Sequence, residues 1–558
     1  MRTRSTTIRL AIPVVALGLI ASGCSSNSTV QSGSVDLTSV NAINPHPVAD
    51  LKDGGNLRLA LSAFPESFNN LHVDGNTADT NSVVSPTLPQ TFAANAAGEL
   101  SVDNDYFTDI QLTSTSPQQV VTYTINPKAV WSDGSPITWE DLRSEWQALN
   151  GTDSAYQIAS SGGYDHVDKV ERGVDDRQAV VTFRQNYGEW KGLFGILYPK
   201  ADTQSPQAFN DWARNSLPIS AGPFLVSSID RTQNRITLSH NPKWWGDAPK
   251  LDNITFSVLD YTATLPAIQN NELDESYMSG LEAVTGAKNT PGVEIRRASE
   301  PSTSLIAFNG APGAILEDVK VRQAIAKAID RKTIVETFQH GIVDQPKPLN
   351  NHIYIAGQTG YQDNSAVVGF DLDAAGKELD ALGWVMKGDT REKDGRKLEL
   401  RDVMYQQDSW VDTAKIIQQD LQKIGVKLII QTAPGTGLFT NLIDPGNYDL
   451  AQYGLSGGGA LPLQILRQMY YYDPQNWQGN KSRIGSPELN TVIDQTLAEL
   501  DPGKAIELAN KADQMIWAEA HSVMLNQASG THAARIDLAN WGAFGLATPD
   551  YTKVGFLK

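Results

Sequence analysis

Lys397-Leu-Glu-Leu-Arg-Asp-Val403 sets Leu398 and Leu400 between charged residues, the alternation of a strand with one buried face. After it, Val411, Ala414, Ile417, Leu421 and Ile424 recur at helical spacing, and Gly425 stops the stripe. Val426-Lys-Leu-Ile-Ile430 then reads as a second strand. Strand, amphipathic helix and strand within residues 397–430 make a βαβ unit, which demands parallel pairing and a right-handed crossover. The fold class is therefore α/β.

The same alternation extends outward. Upstream, Asp371 is placed to cap a helix carrying Leu372, Ala375, Leu379 and Leu382 on one face, ended by Gly383. Downstream, helices fit Pro487 to Leu500 and Gly503 to Ala520. In the first half, Leu57, Leu59 and Leu61 alternate with Arg58, Ala60 and Ser62. Val120 to Ile125, Ala179 to Phe183, Arg235 to Leu238 and Ile254 to Leu259 are further strand candidates.

The chain has 558 residues, 40% hydrophobic and 19% charged, enough for several full-sized cores and too apolar for a disordered chain. Its formal net charge is −18, with no basic stretch to neutralise a phosphate backbone, so no nucleic-acid partner is expected. A single cysteine excludes an internal disulfide and a cysteine-rich zinc site.

That cysteine, Cys24, follows Arg2, Arg4 and Arg9, an apolar run from Leu10 to Ile20, and the small residues Ala21-Ser22-Gly23. A basic start, a short apolar segment and small residues form a secretory signal, and the run is too short for a transmembrane helix. The cysteine placed directly after them resembles a bacterial lipoprotein signal, with Ala21 where leucine is usual. The resemblance implies cleavage of residues 1–23 and lipidation of Cys24, a membrane anchor that does not span. Loss of the three arginines takes the net charge from −18 to −21. Residues 24–53, rich in Ser, Asn, Thr, Gly and Pro, are expected to form a flexible tether.

Enzyme signatures are sparse. The eight histidines show no metal-ligand spacing, and neither GxxxxGK[ST] nor GxGxxG occurs, so no metal, cofactor or nucleotide is expected. Gly454-Leu-Ser456-Gly-Gly458 satisfies GxSxG between a candidate strand (Tyr448 to Tyr453) and a candidate helix (Leu461 to Tyr470). Asp473 or Asp501 and then His521 would follow in triad order, so a secreted serine hydrolase using Ser456 is one alternative. Against it, the serine lies late in the chain, and Gly459 extends the loop into a merely flexible one.

Four segments are more specific. Tyr123-Thr-Ile-Asn-Pro-Lys-Ala-Val-Trp131-Ser-Asp133-Gly134-Ser-Pro136-Ile-Thr138-Trp-Glu140-Asp141-Leu142 is a strand, an Asp-Gly turn, and a helix capped by Thr138 with acids in its first turn. Ser220-Ala-Gly222-Pro223-Phe224 precedes Asn241-Pro-Lys-Trp244-Trp245-Gly246 and Leu251-Asp252. Ala307-Phe-Asn309 precedes Val321-Arg322-Gln-Ala-Ile325 and Ala328-Ile-Asp330-Arg331. Gly425 precedes Tyr448-Asp449. In this order the four resemble the motifs of the extracellular solute-binding proteins of peptide/nickel-type (family 5) ABC transporters, from about residue 54 to 530. Only Trp139 departs from the first motif, where a small residue is usual.

The resemblance implies a two-lobed periplasmic-binding-protein-like clamp, type II, enlarged by an extra subdomain. Lobe I is expected at 54–300 with the subdomain at about 85–205, lobe II at 301–514, and a C-terminal return to lobe I at 515–558. The crossings are expected at Pro301-Ser-Thr303 and near Met515 to Ser522. The motif residues themselves, and most of the tryptophans, read as packing and turn residues rather than ligand contacts.

Ligand contacts carried over from the family are Ala63, Phe64, Pro65 and Asn69 after the first strand, and the turn Tyr453, Gly454, Leu455, Ser456, Gly457 and Gly458. In oligopeptide binders that turn reads "GW" followed by an aspartate that holds the peptide amine. Here Leu455 and Gly458 take those places. An ammonium buried without a counter-charge costs several kcal/mol. Either another carboxylate, such as Glu66 or Asp473, serves, or the ligand lacks a free amine there. The glycine turn can also pair with a peptide backbone as an added strand.

The function implied is a lipid-anchored, monomeric substrate-binding protein on the outer face of the cytoplasmic membrane. It would pass a peptide or peptide-like solute to permease and ATPase subunits on separate chains. Other readings are a non-peptide solute, haem-like or glycopeptide, and an envelope regulator without transport.

Overall fold

Glu399–Tyr405 and Lys427–Ala433 pair in parallel from Glu399 opposite Lys427 to Tyr405 opposite Ala433, and helix Asp408–Lys423 crosses between them. The helix buries Ala414, Ile417 and Leu421 on the stripe read from sequence, and Gly425 ends it at φ +76°. The computed structural model describes residues 41–343, 345–434, 437–456, 459–475, 477 and 479–558.

This βαβ unit forms one side of a five-stranded sheet ordered Lys427–Ala433, Glu399–Tyr405, Leu450–Ser456, Ser302–Phe308, Ser522–Gln527. Its core holds Leu305, Phe308, Leu400, Val403, Leu450 and Trp517 and constitutes the second lobe. Helices Pro487–Ala498 and Pro502–Ala518 pack beside it over Leu489, Ile493 and Ile516.

The first lobe draws on both ends of the chain. Asn56–Leu61 runs parallel to Asn253–Val258, which continues antiparallel into Arg235–His240 and Phe224–Asp230. Thr531–Arg535 lies between Glu275–Tyr277 and Val293–Arg297, and Leu538, Trp541 and Val554 join the core of Leu57, Phe224 and Phe256. A further four-stranded sheet, ordered Phe107–Ser114, Val120–Ile125, Gln178–Phe183, Val167–Arg172, packs against helix Trp139–Leu149. That helix starts in a capping box between Thr138 and Asp141.

Two expected boundaries move. Residues 42–53 do not belong to a tether: Ala42 and Ala543 exchange backbone hydrogen bonds at 2.8 and 3.0 Å, and Leu51 is fully buried against the C-terminal segment. Burying the Leu51 side chain is worth about 1.5–3 kcal/mol, which offsets the roughly equal entropy cost of ordering that residue. The second crossing lies at residues 528–530, not at Met515 to Ser522, because Ser522–Gln527 is an edge strand of the second-lobe sheet. There the two connections run side by side: Ala528 N–H donates to Ser302 at 2.7 Å and Ala298 N–H to Gly530 at 3.3 Å. Gly530 has φ +45°, and a Cβ on it would sit 2.3 Å from the Ala298 carbonyl oxygen, so the contact needs glycine.

The motif residues serve the fold. Trp131 is 2% exposed, and the Trp244 and Trp245 rings pack on Tyr106 with their indole N–H groups given to the carbonyls of Asp247 and Asp105. Arg322 and Arg331 both bond backbone carbonyls: Arg322 those of Leu316, Glu317 and Glu519, Arg331 those of Leu349 and Met524.

Candidate ligand-binding site

Two cavities adjoin at Tyr277. The first, about 550 Å³, is lined from the first lobe by Tyr277 to Leu281 and from the second by Ser302 to Ser304, Phe338, Trp410 and Gly454, with Asn526, Ala528 and Ser529 beside the crossing. The second, about 650 Å³, lies on the first lobe between Leu59 to Ser62, Asn81, Ser82, Phe256, Tyr261, Trp541 and Phe544. Such volumes suit ligands larger than one amino acid.

Strand alternation explains which side chains face them. Glu275 and Tyr277 are two residues apart on one face of their strand, and His532 sits directly opposite Tyr277 on the neighbouring strand. The Tyr277 and His532 rings meet edge to face at 5.6 Å. His532 Nδ1 lies 2.6 Å from Glu275 Oε1 and Nε2 lies 2.9 Å from Glu300 Oε1. Burial pulls the imidazolium down, but the charges and hydrogen bonds of Glu275 and Glu300 outweigh it and push its pKa up to about 10. On the second lobe, Trp410 stands in the first turn of helix Asp408–Lys423, and Gly454 is exposed near the end of the middle strand. Gly454 would bring a Cβ no closer than 3.6 Å to the protein, so its missing side chain leaves room in the cleft.

The residues expected to touch ligand divide. Gly454 lines the cleft, and Leu455 and Ser456 continue its strand, half-buried and exposed. Tyr453 is turned into the second core, 2% exposed and edge to face with Phe439 at 5.4 Å. Ala63 and half-buried Phe64 follow the lining residue Ser62. Asp79 pins this turn by accepting the N–H groups of Ser62 and Ala63, each at 3.0 Å. Pro65 is buried, and Asn69 is fully buried, with its amide given to Phe209 and its oxygen accepting from Leu71 N–H. Neither Pro65 nor Asn69 lines either cavity among the described residues. Gly457, Gly458 and Cys24 lie outside the described residues.

The suggested counter-charges lie elsewhere too. Glu66 is exposed outside both cavities, and Asp473 closes its own turn onto Gln475 N–H at 2.9 Å. Among the described residues, the carboxylates that do line the cavities are Glu275, Glu300 and Asp412. No sequence motif marks them. Glu300 and His532 become neighbours only because the chain crosses between lobes twice.

The hydrolase triad is not assembled. Ser456 lies within a strand, opposite Ser302, whereas the His521 carbonyl accepts from Phe308 N–H at the far end of the Ser302–Phe308 strand. Six residues of strand separate them by about 20 Å. Burial drives the His521 pKa well down, and its ring nitrogens face Ser522 and Asn480. Asp501 instead caps a helix at Lys504 N–H.

Comparison with known proteins places this geometry. Residues 111–477 match the bacterial extracellular solute-binding proteins, family 5 middle domain. The chain is 49% identical over 568 aligned residues to the oligopeptide-binding protein OppA of Mycobacterium tuberculosis, covering all of this chain and 95% of that one. Among solved structures, the periplasmic EDTA-binding protein EppA superposes with a TM-score of 0.85 at 24% identity, over 94% of this chain and 99% of that one. The oligopeptide-binding protein AppA of Bacillus subtilis, in complex with a nonapeptide, gives 0.73 at 17% identity, over 91% and 100%. These two structures share the fold, a clamp of two lobes. The chain belongs to the family 5 bacterial extracellular solute-binding proteins.

Proposed function

We propose that this chain is the substrate-binding component of an ABC importer and captures an oligopeptide by closing its two lobes over the cleft. The observation that carries this reading is the cavity of about 550 Å³ walled by both lobes beside the two chain crossings. Hinged closure about a few element-terminal residues is the motion such a layout allows. The exposed edge of Gly454 to Ser456 offers backbone groups to an extended peptide, and Trp410, Tyr277 and Phe338 offer apolar surface for its side chains. The name and 49% identity of the mycobacterial relative support a peptide as the ligand.

A metal chelate is the second reading, favoured by the superposition on the EDTA-binding protein. The lining chemistry weighs against it. Among the described residues neither cavity has a lysine or arginine to meet a polyanion.

In the same reading the lobes divide at the crossings, residues 298–301 and 528–530, and lipidated Cys24 tethers the body to the outer face of the membrane. Permease and ATPase subunits on separate chains would receive the solute. Thermal unfolding with a mixed peptide pool and with Fe(III)-EDTA tests the ligand class. Peptides are expected to raise the midpoint by mass action. A rise with the chelate alone would refute the assignment.

A further inference from the structure

Glu275, Glu300 and His532 are the only charged side chains among the described residues lining the larger cavity. Glu275 is fully engaged: Oε1 faces His532 Nδ1 at 2.6 Å, and Oε2 accepts from the Trp541 indole N–H at 3.0 Å. Glu300 is engaged through Oε1 alone, 2.9 Å from His532 Nε2. Its side chain is 28% exposed, and its Oε2 has no hydrogen-bond partner among the described residues. Two carboxylates and one imidazolium leave this wall with a net negative charge, and a neutral imidazole would leave it more negative still. The remaining wall is largely apolar and aromatic, with Leu61, Phe256, Leu259, Tyr261, Tyr277 and Phe544. Among the described residues, Asp412 is the only charged one lining the adjoining cavity.

A cation leaving water for such a cleft needs a carboxylate partner to offset its lost hydration. Tyrosine faces add to its stabilisation. An anionic group would meet like charge with no cation to balance it. We propose that the larger cavity receives a positively charged group of the ligand, an ammonium or guanidinium, with Glu300 Oε2 as its acceptor and the aromatic wall holding the apolar segment beside it. His532 positions that carboxylate by holding Oε1, and Glu275 fixes the His532 ring from its other nitrogen, which leaves Oε2 of this cavity-lining residue available to a ligand. This inference rests on the peptide reading, in which the cation is either the α-ammonium or a basic side chain.

The test is calorimetric titration of the mature chain with the peptides Ala-Phe-Xaa-Phe-Ala, where Xaa is Lys, Gln or Glu, each with a free and an acetylated amino terminus. The cationic peptides are expected to bind about tenfold or more tightly than the acetylated Gln peptide, the scale of one charge-assisted hydrogen bond. Loss of the preference on acetylation identifies the α-ammonium as the bound group, and loss on Lys-to-Gln exchange identifies the side chain. Glu300→Gln is expected to bring the cationic-to-neutral ratio to about one. Ser82→Lys, which adds a cation to the cavity wall and leaves Glu275, Glu300 and His532 in place, is expected to do the same. Equal binding of the acetylated Gln, acetylated Glu and cationic peptides would overturn the inference while leaving peptide capture intact. Binding of none would overturn peptide capture itself.

Discussion

The carboxylate of Glu189 accepts the backbone N–H of Leu463 at 2.7 Å, tying the segment after strand Gln178–Phe183 to the chain beyond strand Leu450–Ser456 of the second lobe. Beside it, Gly188 N–H donates to the Leu497 carbonyl at 2.7 Å, at the end of helix Pro487–Ala498. The two halves of the molecule therefore touch here as well as at the crossings. Glu189 is 4% exposed, and burial raises its pKa to about 7 against the lowering effect of the Leu463 bond.

That raised value fixes a sign. Between the ordinary carboxylate range and pH 7 the folded state holds a proton that the unfolded state has lost. Stability contributed at this site is thus highest at low pH and falls as pH rises toward 7. Glu189→Gln keeps an acceptor for Leu463 N–H and removes the buried charge. It is expected to raise the thermal midpoint at pH 8 and leave it unchanged at pH 4. A lower midpoint at pH 8 would mean that the ionised carboxylate is the stabilising form.

Gly454 tests the cleft by steric means. A Cβ there meets the protein only at 3.6 Å, so Gly454→Val is compatible with the strand and its branched side chain points into the cavity. Peptide affinity is expected to fall by about tenfold or more with the thermal midpoint little changed, which calorimetry and thermal unfolding read separately. Unchanged affinity would place the ligand away from Gly454.

Arg322 separates structure from binding. Its guanidinium bonds the carbonyls of Leu316, Glu317 and Glu519 at 2.7 to 3.1 Å, and it lines neither cavity. Arg322→Ala leaves those carbonyls without their donor and is expected to cost about 3 kcal/mol in denaturant unfolding. Peptide affinity of the folded variant is expected to stay within about twofold.

Ser456 lies in a strand about 20 Å along the sheet from His521. A fluorophosphonate probe is expected to leave the protein unlabelled. Labelling that disappears in Ser456→Ala would restore the hydrolase alternative.

The local elements were legible from sequence because side-chain period reports them directly. Leu398 and Leu400, the stripe ending at Ile424, and the Asp371 cap on Ala374 N–H all lie where the pattern puts them. The second crossing was not legible. From sequence Ser522 to Gln527 falls in the C-terminal return to the first lobe, whereas it pairs with Ser302–Phe308. The segment 42–53 misled because its composition is that of a spacer, while Leu51 and Asn44 find partners on the distant C-terminal segment. Within the site, Gly454 was reachable through its motif. Tyr453 faces inward although its neighbour Gly454 lines the cleft, and Asn69 is buried well past the last lining residue of its segment, Ser62. Glu275, Glu300 and His532 carry no local signature, since His532 meets the two glutamates only through pairing between segments more than 200 residues apart, and Trp410 lines the adjoining cavity without a motif of its own.

Native mass spectrometry of the purified chain with its co-purified ligand tests peptide capture most directly. Bound masses that fragment as peptides, released when the cleft is filled by Gly454→Val, are the expected result. A chain that carries only a metal chelate or another non-peptide mass, retained in that variant, would contradict it.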